Sequence, residues 1–408
     1  MTTSMKKIIQ VGLGVVTGIG GFLEIGSVTT SAQAGAAFSY QLIWALVLGI
    51  LCLSFLVEMS GRFAAVSKHT VVDGLRDRFG FGFFSVVLGG VALVVLMVLT
   101  AELGGIALAL EMATGIGFPW WALPVLLVSW LLVWKTDFAI IENGSSILGL
   151  LTLCFAVAVH RLHPDWGAVA HGAIPSLPSD DKAHYWFICV SILGASITPY
   201  LMYFYSAGAV EDKWDESYLT VNKIVSFAGM AFGCLLSIAV LIVAARVLHP
   251  QHVDIQRFDQ MAGMMTTPFP KWGKALFAVS MAITCLGAAL EIALSIAYMF
   301  GEGLGWNSSD NKAPAKEARF SMVYTGALVI AALPLLIGAD PLKVTNIAMA
   351  LTSATLPLAI VPFLIIMNDP RYLARHTNGI VSNSVVVLVM VMSFVLAIVS
   401  IPLEIFGG

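Results

Sequence analysis

The sequence predicts an all-α integral membrane protein, and three observations carry that prediction. Hydrophobic residues fill 59% of the 408 positions and charged residues only 11%, against about 25% charged in a soluble domain. The apolar residues gather into eleven runs long enough to cross a hydrocarbon core of about 30 Å. Two of the runs, the first and the sixth, are each broken midway by a short polar stretch. In lipid every backbone polar group needs an internal partner, so runs of this length cross as helices.

In order, the spans lie at 8–37, 40–66, 82–112, 119–135, 139–160, 185–210, 219–248, 273–300, 318–338, 343–367 and 380–405. Span 1 follows Lys6-Lys7, and Ala32-Gln33-Ala34 has the small-x-small look of a leader cleavage site. The stretch is too long for a leader and is interrupted by Glu24, so it reads as a span. The longest connections are 161–184 and 249–272 on one side and 67–81 and 302–317 on the other. The last of these contains the polar connector Asn307-Ser308-Ser309-Asp310-Asn311-Lys312-Ala313-Pro314. None is long enough for a soluble domain, so function resides in the bundle, with the lipid bilayer around it. No enzyme activity, nucleic-acid partner or cofactor is expected.

With the N-terminus inside, fourteen of the 21 Lys and Arg fall in the cytoplasmic set of loops and span ends. That bias predicts a cytoplasmic N-terminus and an outer C-terminus in the plasma (inner) membrane. Cys52, Cys154, Cys189, Cys234 and Cys285 all fall within spans without metal-ligand spacing, as small buried residues do. Spans 1–5 and 6–10 overlay with a broken span first in each set, and an odd repeat length inverts the second copy in the membrane. The organisation expected is a first repeat at 1–160, a second at 161–378 and an added span at 379–408.

The breaks are the best pointer to a binding site. The first is Gly20-Gly21-Phe22-Leu23-Glu24-Ile25-Gly26-Ser27 and the second Gly194-Ala195-Ser196-Ile197-Thr198-Pro199. Glu24 lies seventeen residues after Lys7, about 25 Å along a helix and deep in hydrocarbon. A charge there costs a few kcal/mol unless it is partnered. A structural carboxyl is the plain alternative, but Ser27, Thr29, Thr30, Ser31 and Gln33 add polarity that packing does not need. Thr198-Pro199 alone reads as an ordinary proline kink. Paired with the first break, the Ala195 carbonyl, Thr198 hydroxyl, Glu24 carboxylate and Ser27 hydroxyl form an oxygen cage suited to a hard cation. Glu102 and Glu291 are the other intramembrane carboxylates, candidates for a proton path or for hydrogen bonds between helices. Six histidines (His160, His163, His171, His184, His249 and His252) fall in outer segments, where they read as ordinary loop residues or as metal-gathering ones.

The run from Glu24 to Ala36 resembles the first-span motif of Nramp divalent-metal transporters, Asp-Pro-Gly-Asn followed by Gln-Ala-Gly-Ala. Ala101-Glu102-Leu103-Gly104-Gly105, Ile141-Glu142 and Met367-Asn368-Asp369-Pro370-Arg371 resemble further segments of that family in order. The resemblance implies a LeuT-like fold of ten core spans with an eleventh appended. It also implies metal binding at Glu24, Ser27, Ala195 and Thr198. In span 6 the family's metal-binding Met is Thr198 and its His is Tyr200; Leu99 replaces an Asp near Glu102, and Met349 falls near the place of a span 10 Gln. Loss of the thioether favours an ion that keeps its waters. The pattern is therefore closer to the Nramp-related magnesium transporter branch.

The function expected is secondary transport of a divalent cation by alternating access, Mg²⁺ first and Mn²⁺ second, weakly coupled to protons or not at all. An organic-solute carrier of the same fold is the first rival, opposed by Glu24, which repels anions. The other is a sensor or scaffold that has lost the metal site.

Overall fold

The computed structural model describes residues 23–135, 149–178, 181–306 and 317–406, and every regular element among them is helical. Nine spans among the described residues are long and apolar enough to cross a membrane. They match predicted spans 2–4 and 6–11. The second part of span 1 is α1 (Ile25–Phe38), and the end of span 5 is α5 (Leu153–Leu162). Span 1 up to Phe22, with Gly20 and Gly21, and span 5 up to residue 148, with Ile141 and Glu142, lie outside the described residues, as does the connector at 307–314.

The other spans are α2 (Ile43–Ser67), α3 (Val71–Thr114), α4 (Phe118–Lys135), α6 (Lys182–Ser196) with α7 (Pro199–Glu211), α8 (Leu219–Val247), α9 (Gly273–Gly303), α10 (Ala318–Leu336), α11 (Pro341–Met367) and α12 (Ile380–Phe406). Span 6 divides where the sequence predicts. Ile197 and Thr198 leave helical geometry, and Pro199 opens α7 at a position that needs no N–H.

One connection differs from expectation. The segment 67–81 is mostly helical, because α3 starts at Val71 and passes through a break at Gly80 (φ 77°). Thr70 caps that start by accepting from the Asp73 N–H at 3.1 Å. Its charged residues place this first part of α3 at the membrane surface rather than in a loop.

Within lipid, helices associate through close packing rather than through a hydrophobic drive. α3 lies along α9 and α11, α8 along α1 and α2, and α6 touches α1 and α11. The approach of α6 to α11 is backbone to backbone: a Cβ on Gly194 would stand 1.9 Å from the Met349 carbonyl oxygen. Exposed apolar side chains such as Leu93, Leu388 and Val395 form the outer surface that lipid covers.

Candidate transport site

α1 begins at Glu24, which is extended (φ −109°, ψ 172°) and 1% exposed. Its N–H donates to Ser27 Oγ at 3.1 Å, and the Ser27 hydroxyl donates back to the Glu24 carbonyl at 3.0 Å. The next N–H, that of Ile25, donates to Glu102 Oε1 at 3.1 Å. Glu102 stands wholly buried on α3 and also accepts from the Cys285 thiol of α9. Helix N-termini carry unpaired N–H groups and partial positive charge. Two carboxylates therefore meet the positive end of α1, one by its own chain and one across the bundle.

The Glu24 side chain reaches the second break. Tyr200, two residues into α7, donates its hydroxyl to Glu24 Oε2 at 3.2 Å, while Oε1 is buried with no hydrogen-bond partner. Ala195 and Thr198 are buried at 3% and 4% exposure. Thr198 is the N-cap of α7 but its side chain caps nothing. The residue four beyond Ala195 is Pro199, which has no N–H, so helix geometry supplies the Ala195 carbonyl with no donor.

Glu291 of α9 is 6% exposed and, with Glu24 and Glu102, is an electrostatic neighbour of Tyr200. One turn further, Ser295 donates to the Tyr200 carbonyl at 3.2 Å. Of the three intramembrane carboxylates, Glu24 holds the Tyr200 hydroxyl and Glu102 the Ile25 N–H.

Two residues at the breaks went unassigned in the sequence. Tyr200 was visible only as the absence of a histidine, although a hydroxyl just after the helix break was a usable signal. Met349 is the other. Its carbonyl faces Gly194, and its Sδ lies 2.5 Å from where a Cβ on Gly26 would be. Because Gly26 has no side chain, the thioether rests against the first turn of α1. The region between the breaks is therefore not lined by oxygen alone.

On the side of segments 161–184 and 249–272, a cavity of about 490 Å³ opens between the ends of α1, α6 and α11, reaching Gln33, Ile188 and Asn346. On these helices its lining comes from the C-terminal end of α1 and the N-terminal ends of α6 and α11.

Comparison with known proteins agrees with this architecture. The family model described as Natural resistance-associated macrophage protein-like, Nramp, matches residues 14–402. The divalent metal cation transporter MntH of Deinococcus radiodurans is 25% identical over 361 residues, covering 84% of this chain and 78% of its own. MntH of Caldanaerobacter subterraneus subsp. tengcongensis is 23% identical over 393 residues, covering 92% and 88%. Among solved structures, the Eremococcus coleocola manganese transporter, in complex with an aromatic bis-isothiourea compound, superposes with a TM-score of 0.82 at 18% identity. That match covers 100% of this chain and 89% of the other. Mhp1, a nucleobase-cation-symport-1 family transporter, gives 0.62 at 13% identity, covering 95% and 91%. These likenesses show the fold, which is LeuT-like, with an inverted five-plus-five repeat and an eleventh helix. The relatives are transporters and not enzymes, and the family match extends over almost the whole sequence: this chain belongs to the Nramp family.

Proposed function

We propose that the protein carries a divalent metal cation across the membrane by alternating access, with Glu24, Ser27, Ala195 and Thr198 around the ion. One observation carries the reading. Glu24 is buried at membrane depth, between the start of α1 and the break before α7, and keeps one carboxylate oxygen without a partner. Leaving such an oxygen unpaired costs several kcal/mol in hydrocarbon unless a cation takes it. The inverted repeats at 1–160 and 161–378 are the units that rock about it, in a membrane entered from the cavity side. That side is the outer one if the N-terminus is cytoplasmic.

Met349 supports reversing the expected order of ions. A thioether beside Gly26 gives the region a soft donor, which suits Mn²⁺ better than Mg²⁺. The solved neighbour from Eremococcus coleocola, named as a manganese transporter, supports the same order. Mn²⁺ is accordingly the first choice and Mg²⁺ the second. Coupling to protons is weak or absent, because Glu102 is held as a cap on Ile25 and Tyr200 stands where the family has histidine.

The test is metal flux into proteoliposomes with Mn²⁺, Mg²⁺ and Cd²⁺, for the natural protein and for Glu24→Gln. The neutral amide preserves shape, so uptake is lost while the protein stays monodisperse. Uptake by Glu24→Gln near the natural rate refutes the assignment.

A further inference from the structure

The outer cavity has a chemistry of its own. Among its lining residues are three imidazoles, His184, His249 and His252, and two carboxylates, Asp181 and Asp254, with Lys343 as a countercharge. Two details go beyond composition.

First, His249 Nδ1 stands 2.8 Å from the Ala36 carbonyl oxygen. A carbonyl only accepts, so Nδ1 carries the hydrogen and, in the neutral ring, the lone pair is on Nε2. A backbone carbonyl holding one ring N–H is how metal-ligating histidines are commonly oriented. The tie is made to α1 itself, whose start at Glu24 lies twelve residues, or about 18 Å, deeper. Second, the Oδ1 of Asn346 is buried without a hydrogen-bond partner. It sits three residues before Met349 on α11, about 4.5 Å along the helix axis. An oriented imidazole above and an unpaired oxygen below mark a descending route.

Size and geometry decide what occupies it. No three His, Cys, Asp or Glu among the described residues converge to hold a bare ion. Six waters at about 30 Å³ each need about 180 Å³, well within the cavity's 490 Å³. The occupant is then a cation that keeps most of its hydration shell. Imidazole suits transition metals, whereas Mg²⁺ prefers oxygen.

We infer that this cavity is a loading station in which His249 Nε2 replaces one water of a hydrated divalent transition metal before the ion descends past Asn346. The inference deepens the transport reading and rests on it for the ion's destination.

The test uses the full-length protein carrying Glu24→Gln, so that the deep site is disabled, and Co²⁺ as the probe in equilibrium dialysis. Co²⁺ is expected to bind and to resist displacement by equal Mg²⁺. Adding His249→Gln, whose amide N–H can still reach the Ala36 carbonyl, should weaken binding about tenfold. With Glu24 intact, the same substitution should raise KM for Co²⁺ uptake several-fold and leave kcat unchanged. Co²⁺ affinity indifferent to His249, or equal competition by Mg²⁺, overturns the inference. A readout that leaves His249 in place is pulsed EPR of Mn²⁺ bound to Glu24→Gln. An imidazole nitrogen coupling is expected, and its absence is equally fatal. Co²⁺ binding that depends on His249 in a protein that moves no metal would reject the transport reading and keep the station. Flux without such dependence would do the reverse.

Discussion

Tyr200 donates its hydroxyl to Glu24 Oε2 at 3.2 Å, joining residues 176 positions apart, one at the start of α1 and one at the start of α7. In this arrangement the phenol occupies one of the carboxylate oxygens offered to the ion. Binding a cation at Glu24 must replace or reorient that bond.

Removing the phenol therefore favours the loaded state. A hydrogen bond to a charged group contributes about 1.5–3 kcal/mol, and only the empty protein holds it in full. Tyr200→Phe should lower the apparent KM for Mn²⁺ by about tenfold and enlarge the thermal upshift that Mn²⁺ gives in detergent. An unchanged KM and an unchanged upshift would mean that ion and phenol do not compete.

Glu102 accepts from the Ile25 N–H at 3.1 Å, which makes it a positioning residue for the start of α1. Glu102→Gln keeps an acceptor and loses only the charge near the helix end, worth about 0.3–1 kcal/mol. Its uptake should stay within about fivefold of natural. Glu102→Ala leaves a buried N–H unpaired at about 1–3 kcal/mol and should lose about tenfold or more. With Glu102 so engaged, a pH dye inside the vesicles should stay flat during Mn²⁺ uptake. Robust metal-dependent acidification would assign Glu102 or Glu291 to a proton path.

Selectivity should follow sulfur. Met349→Leu removes the thioether at nearly constant volume and should reduce the preference for Cd²⁺ and Mn²⁺ over Mg²⁺ by about tenfold. Thr198→Met should do the opposite, strengthening Cd²⁺ competition and weakening Mg²⁺ uptake. Competition assays in which both ratios stay fixed would remove both side chains from the ion's surroundings.

The loop after α11 gives a pH-dependent prediction. The Asp369 carboxyl is held at about 2, below its usual range, by hydrogen bonds from the Arg371 side chain and backbone, with Arg78 adding its charge. A depressed carboxyl contributes stability that is present above its unfolded value near 4 and is lost as pH falls toward 2. Asp369→Asn should therefore melt below the natural protein at pH 7. The gap should narrow as pH drops from 5 toward 3, and a constant gap would contradict the assignment.

The break in span 6 was legible because it is local chemistry: Thr198-Pro199 disrupts a helix by rules that need no neighbours. In span 1 the start of α1 after Glu24 agrees with the reading, and the glycines before it lie outside the described residues. Span limits were legible for the same reason, since hydrocarbon length sets them. The helical start of α3 was missed because Asp73, Arg76, Asp77 and Arg78 read as loop, although Thr70 with Asp73 three residues later is a capping pattern. The partners of Met349 and Tyr200 were not readable, since those contacts arise only when α11 and α7 are folded against α1. Cross-bundle contacts leave no periodic trace in a sequence.

The close approach at Gly194 has a mechanical consequence. A methyl there would stand 1.9 Å from the Met349 carbonyl, which belongs to rigid backbone. Gly194→Ala should thus destabilise the protein by about 1–3 kcal/mol, readable as a lowered melting temperature. The same contact leaves no room for sliding, so α6 and α11 behave as one lever, and the swing that opens the opposite side must hinge elsewhere. Spin labels on the two helices near Leu193 and Ala350 should report a single distance whichever face of the membrane the pathway meets.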